Sequence, residues 1–123
     1  MEISTRDFSK PVQCALWKEP NGLDGKQADI FEITDTYEDD THLIRRLLKC
    51  RECGQLYFYE MYEVIDWVDG NDPQYRTYIP VSDVTEVENL KMTATSDLVL
   101  ASPSLRRDFP KEATSPKNYW VGK

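Results

Sequence analysis

One histidine and three cysteines are all that 123 residues offer to metal binding or to thiol and imidazole chemistry. That scarcity excludes a good deal. Acid–base or Cys–His nucleophilic catalysis would have to run through His42, and a lone histidine beside an acidic loop reads first as a surface or structural residue. No P-loop, G-x-G-x-x-G or G-x-S-x-G pattern occurs. Three cysteines have the wrong parity for a disulfide framework. No run of 18 apolar residues is present, so no membrane-spanning helix is expected. The opening MEISTRDFSKP carries acids and lacks the apolar stretch of a secretory leader. The chain therefore reads as cytoplasmic, with its thiols reduced. Internal repeats and low-complexity tracts are also missing.

What is present is acid. The net charge is −7 with a pI near 4.7, and it is unevenly spread. Asp29 to Asp40 holds six acids and no base, and Glu52 to Tyr75 holds another six. Between them lie Arg45, Arg46, Lys49 and Arg51. Such a field repels nucleic acid and attracts basic proteins. The plainer reading of an acidic surface is solubility.

The apolar fraction of 40% suffices for one compact core, and the length fits one domain spanning residues 1–123. The expected fold class is α+β, an antiparallel sheet with one or two short helices. Residues 1–28 read as a docking segment. Phe8, Val12, Cys14, Leu16 and Trp17 are its apolar anchors, with a short helix or strand near Val12 to Trp17 and breaks at Pro11, Pro20 and Gly22. Residues 29–81 read as a β-rich spine. Asp29 to Thr34 is a candidate strand bounded by acidic turn residues. Residues 42–49 fit an amphipathic helix by spacing and a strand by context, and context favours the strand.

Gln55 to Ile65 reads as a central strand, apolar on both faces, with Leu56 and Phe58 on one and Tyr57, Tyr59 and Met61 on the other. Asp69-Gly-Asn-Asp-Pro marks a turn, and Gln74 to Val81 returns antiparallel until Pro80 stops it. Residues 82–123 read as a helix capped by Ser82 or Asp83 and running to about Met92, a helical turn over Asp97 to Ala101, and a tail that wraps and docks.

The strongest motif is C-x-x-C-G at Cys50, Cys53 and Gly54. Its spacing lets two thiolates face one tetrahedral site, and the glycine permits the tight turn. A closed zinc site needs four ligands, and Cys14 and His42 are the remaining candidates. The alternative is a knuckle-like hairpin turn with free thiols. A thioredoxin-like pair is disfavoured, because no helix start follows the cysteines. Glu60, Glu63 and Asp66 are near neighbours in sequence, but their spacing is no metal or glycosidase signature. The chain is expected not to be an enzyme. The aromatic run Tyr57, Phe58, Tyr59, Tyr62 and Trp67 is interleaved with Glu60 and Glu63, which oppose a phosphate backbone. Most of it reads as core, and the rest as protein-binding surface.

The block KCRECGQLYFYE, followed by IDW, DGNDPQY and TYIPV and closing on SPSLRRDFP and YWVGK, resembles a family of small uncharacterised bacterial proteins over Asp35 to Lys123. In size, acidity and lack of catalytic motifs the chain also resembles immunity proteins of bacterial toxin systems, including contact-dependent inhibition. That likeness implies a basic protein toxin domain as partner, such as a nuclease, and neither nucleic acid nor membrane. The acidic and aromatic candidates for such an interface are Glu38, Asp39, Asp40, Asp66, Trp67, Asp69 and Asp72. The alternative is a zinc-knuckle adaptor or regulatory domain.

Overall fold

The computed structural model describes residues 8–123. Six strands form one antiparallel sheet in the order in which the chain makes them: β1 (Phe31–Asp39), β2 (Leu43–Cys50), β3 (Leu56–Glu63), β4 (Gln74–Val81), β5 (Ser104–Phe109) and β6 (Lys117–Val121). Four short α-helices accompany them, two more than the sequence implied: α1 (Ala15–Lys18), α2 (Gln27–Ile30), α3 (Val84–Lys91) and α4 (Thr95–Leu98). A 3-10 helix covers Pro20–Asp24. The α+β expectation holds. Among the described residues no helix is long and apolar enough to cross a membrane.

The ambiguous residues 42–49 are strand. Context wins over spacing because β2 is an inner strand of a sheet covered on both faces, so its apolar residues are used on both sides. Leu48 and Cys50 bury on one face, while Leu47 packs on the other. The β3–β4 hairpin has the expected alternation, with Phe58 opposite Ile79 and Tyr59 opposite Tyr78. Pro80 does not stop β4, which continues to Val81. Pairing with β5 ends at Tyr78, so the proline lies beyond the reach of that neighbour.

Two expectations need correction. The acidic residues after Thr34 do not end the first strand. β1 runs to Asp39 as an edge, largely exposed, with register breaks between Ile33 and Asp35 and between Thr36 and Glu38. The second break lets Tyr37 stack on Phe58, with ring centroids 5.9 Å apart. The tail does not merely wrap. It adds β5 and β6 to the sheet, and Trp120 donates from Nε1 to the Leu16 carbonyl at 2.8 Å. The expected docking segment is described from Phe8 onward, and residues 1–7 lie outside the described residues.

Both faces of the sheet are covered. The segment Cys14 to Ile30 lies over Phe31, Leu48, Tyr57, Tyr59, Tyr78 and Leu105. There the aromatic run is core: Phe31 meets Tyr57 at 5.7 Å and Tyr78 at 5.4 Å, and Tyr59 meets Tyr78 at 4.9 Å. Such pairs contribute about 0.5–1.5 kcal/mol each beyond the area they bury. On the opposite face Val87, Leu90 and Leu98 of α3 and α4, with Phe8, cover Phe58, Ile79 and Val81. Asp83 caps α3 by accepting from the Glu86 N–H at 2.9 Å, and the Glu86 side chain accepts from the Ser82 N–H.

One ionic group sits within that second layer. Glu60 is 1% exposed and takes Arg45 at 2.8 Å and the Thr95 hydroxyl at 2.8 Å on the same oxygen. Arg45 also donates to the Leu90 and Lys91 carbonyls at the end of α3, where a cation is favoured. The carboxylate thus joins β2, β3 and the start of α4. Glu60→Ala strands the Arg45 guanidinium in the interior. It should cost about 3–5 kcal/mol, read as a lower denaturant midpoint at unchanged slope. A loss under about 1 kcal/mol would show that the pair does not hold the helices down.

Candidate functional site

Two regions gather the side chains singled out by the sequence, and they lie at opposite ends of the sheet.

At one end is a thiol cluster. The chain turns between β2 and β3 at Cys50 to Gln55, closed by Gly54 N–H to the Cys50 carbonyl and Cys50 N–H to the Gln55 carbonyl, both at 2.8 Å. Gly54 has φ +82°, which a side chain would strain. The covering segment brings Cys14, the residue before α1, onto this turn. The Cys14 and Cys50 sulfurs are 3.9 Å apart, and all three sulfurs lie within 4.8 Å of one another. Tetrahedral zinc with Zn–S near 2.3 Å implies sulfurs about 3.8 Å apart, so the group needs to close by no more than about 1 Å. Three nearby cysteines able to hold a metal ion are therefore present.

His42 does not join them. It lies at the far end of β2, roughly 25 Å away along the strand at about 3.3 Å per residue. Its Nδ1 is 3.0 Å from Glu63 Oε1, and that hydrogen bond holds the Glu63 carboxyl below the usual carboxylate range. The expected four-ligand set thus becomes three. Among the described residues no further histidine, cysteine or carboxylate completes it.

Tyr57, which the sequence offered only as core, belongs here too. It is fully buried, its hydroxyl has no hydrogen bond to nitrogen or oxygen, and it faces the Cys14 thiol. Burial pushes the Cys14 thiol up to about 12 and raises the Tyr57 hydroxyl as well. A cleft of about 400 Å³ between α1, α2 and the turn reaches Cys50, with Asp29 and Glu52 on its lining.

At the other end the three remaining hairpin turns sit side by side. The Glu63 N–H donates to the His42 carbonyl at 3.0 Å, which ties the β1–β2 turn to the β3–β4 loop. Lys111 of the β5–β6 turn reaches Asp66 at 3.1 Å and Asp69 at 2.9 Å. The fold therefore brings all seven predicted interface residues to this end, in two groups with different duties. Asp66 accepts from the Val68 and Asp69 N–H groups at 3.2 Å, and Asp72 accepts from the Asp66 N–H at 2.6 Å. These two carboxylates hold the loop's own backbone. The Asp69 N–H first, with Lys111 adding to it, keeps the Asp66 carboxyl below its usual range.

Glu38 and Asp39 at the end of β1 and Asp40 just after it are exposed beside the neighbouring turn. Trp67 is 89% exposed and Val68, which the sequence reading passed over, is 88% exposed. Only its place beside Trp67 in a loop of turn residues could have drawn attention to it.

Comparison with protein-family models, curated proteins and solved structures finds no match to this chain.

The raised Cys14 thiol gives a pH test. Its ordinary value is 9.0 and its folded value about 12, so the folded chain keeps a proton that the unfolded chain loses. The stabilisation is complete below pH 9 and is lost as pH rises toward 12, by at most about 1.4 kcal/mol per pH unit. In chemical unfolding between pH 8 and 11, the wild type should lose more stability than Cys14→Ser. Parallel profiles would show that Cys14 titrates normally in the folded protein.

Proposed function

We propose that this protein is a binding module that grips a basic protein partner through the acidic end of its sheet, in the manner of an immunity protein that neutralises a toxin domain. The observation that carries the reading is the exposure of Trp67 and Val68 on a loop tied, through Glu63 and His42, to the turn that follows Glu38, Asp39 and Asp40. Large exposed apolar groups cost free energy in water, and aromatic anchors within a charged rim are the usual makeup of a strong interface. The acids steer a basic partner and the tryptophan supplies the surface that becomes desolvated. A nuclease domain suits this chemistry, because a site built to attract phosphate also attracts a cluster of carboxylates.

The partner to test is the toxin domain encoded directly beside this chain's gene. Trp67→Ala with Val68→Ala should weaken binding at least ~30-fold in calorimetry while leaving the melting temperature in place. Neutralising Glu38, Asp39 and Asp40 to the amides should slow association and flatten its salt dependence. Absence of such a toxin gene, or an unchanged affinity in the Trp67 and Val68 variant, would overturn the reading.

A second reading rests on the thiol cluster. We infer that Cys14, Cys50 and Cys53 hold zinc, which ties the covering segment to the β2–β3 turn and leaves the fourth position to a water or an outside donor. This is the zinc-knuckle adaptor reading with His42 removed from the ligand set. Elemental analysis of the purified protein should give about one zinc per chain, and a chelator should lower its stability. Metal-free protein that melts identically with and without chelator would sink it. The two readings stand independently.

A further inference from the structure

Arginines are treated differently on the two faces of the sheet. Toward α3 and α4, Arg45 has its carboxylate partner, and Arg106 donates to the Val99 carbonyl and to the Ser104 hydroxyl. On the opposite face, Arg76 of β4 stands directly opposite Arg107 of β5. Like charges at such a position destabilise a sheet. Arg107 is compensated by Asp24 at 2.8 Å and also donates to Asn118 at 3.0 Å, both through Nη1. Among the described residues Arg76 has no carboxylate partner, and the one hydrogen bond of its guanidinium is a long 3.5 Å contact from Nη2 to Gln74 Oε1. Gln74 in turn donates its amide to Glu63 at 3.3 Å, which fixes its orientation. In a chain of net charge −7, Arg76 thus faces a second guanidinium across the sheet with no carboxylate of its own among the described residues.

The two arginines line a cavity of about 160 Å³, with Gln74, Phe109 and Pro116 as its other walls. That volume suits a carboxylate on a short apolar body. The donors are a planar fork on Arg76 and the remaining nitrogens of Arg107, a geometry that matches a planar carboxylate. Phe109 and Pro116 offer apolar ring walls in place of further donors.

We propose that this cleft binds a small monocarboxylate with an apolar body, its carboxylate held by Arg76 beside Arg107 and its body against Phe109 and Pro116. The ligand supplies the negative charge that Arg76 lacks. The site lies on a sheet face beside the β5–β6 turn, at the same end as the Trp67 loop and away from the thiol cluster. Its ligand is a small acid and not the basic partner proposed above, so its occupancy does not decide that reading.

The experiment is thermal unfolding of the full chain in sodium benzoate, acetate, phosphate and chloride at matched ionic strength, with wild type and Arg76→Gln side by side. With benzoate tenfold above its Kd, the wild type should melt about 3–5 °C higher than in chloride. Acetate should need a higher concentration for the same shift, since it lacks the body. Arg76→Gln should fold at least as stably as the wild type in chloride, because it removes a like-charge neighbour, and should lose the benzoate response. An equal benzoate response in the two proteins would overturn the proposal, as would no response beyond chloride. A larger response to phosphate than to benzoate would overturn the assignment to carboxylates. Should the variant fold poorly, benzoate titration of the wild type followed by NMR decides: the Arg76 and Arg107 side-chain signals must move, and unmoved signals reject the site.

Discussion

The inner strand β3 is buried on both of its faces, and the need to cover both governs the rest of the molecule. β3 carries Tyr57, Tyr59 and Met61 toward one side and Phe58 and Glu60 toward the other, all of them buried. Two covers are needed, and the chain supplies one from each flank of the hairpins. Cys14 to Ile30 packs from before the sheet, and Val84 to Leu98 packs between β4 and β5. Each cover is short, so neither can hold by helix propensity alone, and specific side chains fasten them. Trp120 receives the first cover at the Leu16 carbonyl, while Glu60 and Arg45 receive the second at Thr95 and the end of α3.

The thiol cluster follows from the same covering. Cys50 and Cys53 are neighbours because a glycine turn makes them so, but Cys14 meets them only because the first cover ends its path over the β2–β3 turn. The cluster is thus a contact between cover and sheet, whatever else it does. Burial makes a Cys14 thiolate costly there, as its rise to about 12 shows. A bound cation would offset that cost and draw the cover onto the sheet in the same step.

Legibility in the sequence tracks how far each signal depends on its neighbours. The β3–β4 hairpin was readable because its alternation, its turn residues and its aromatic content agree within 26 residues. The cap at Asp83 was readable for a similar reason, since the Asp83–Glu86 pair is local. β5 and β6 were not. Their strands are short, their arginines dilute the alternation, and prolines bracket the connecting turn, so only pairing with β4 makes them a sheet. β1 was cut short because its acids look like turn residues, although on an exposed edge they are the ordinary outward side. At the site, residue types were legible and proximity was not. Cys14 and His42 are equivalent candidates on paper, yet one lies 3.9 Å from Cys50 and the other at the opposite end of the same strand. The same limit explains the split among the acids. Nothing in the sequence says that Asp66 and Asp72 turn inward to the β3–β4 loop and Asp40 to the His42 N–H of its own turn.

The placement of the exposed apolar residues argues for where a partner has room. Both sheet faces carry a cover, and the β1 edge is broken twice in register and lined with acids, which discourages strand addition. β6 presents only five residues at the other edge. The turn end has none of these defences. Its carboxylates are divided between those that stiffen the loop and those that face water, and the stiffened loop holds Trp67 and Val68 outward. A tip intended only to be soluble would gain by placing polar residues there. On the proposed reading, two large apolar side chains on a loop fastened by Asp66, Asp72 and Lys111 would meet a partner at little further entropic cost, which is the condition for tight binding on a small area.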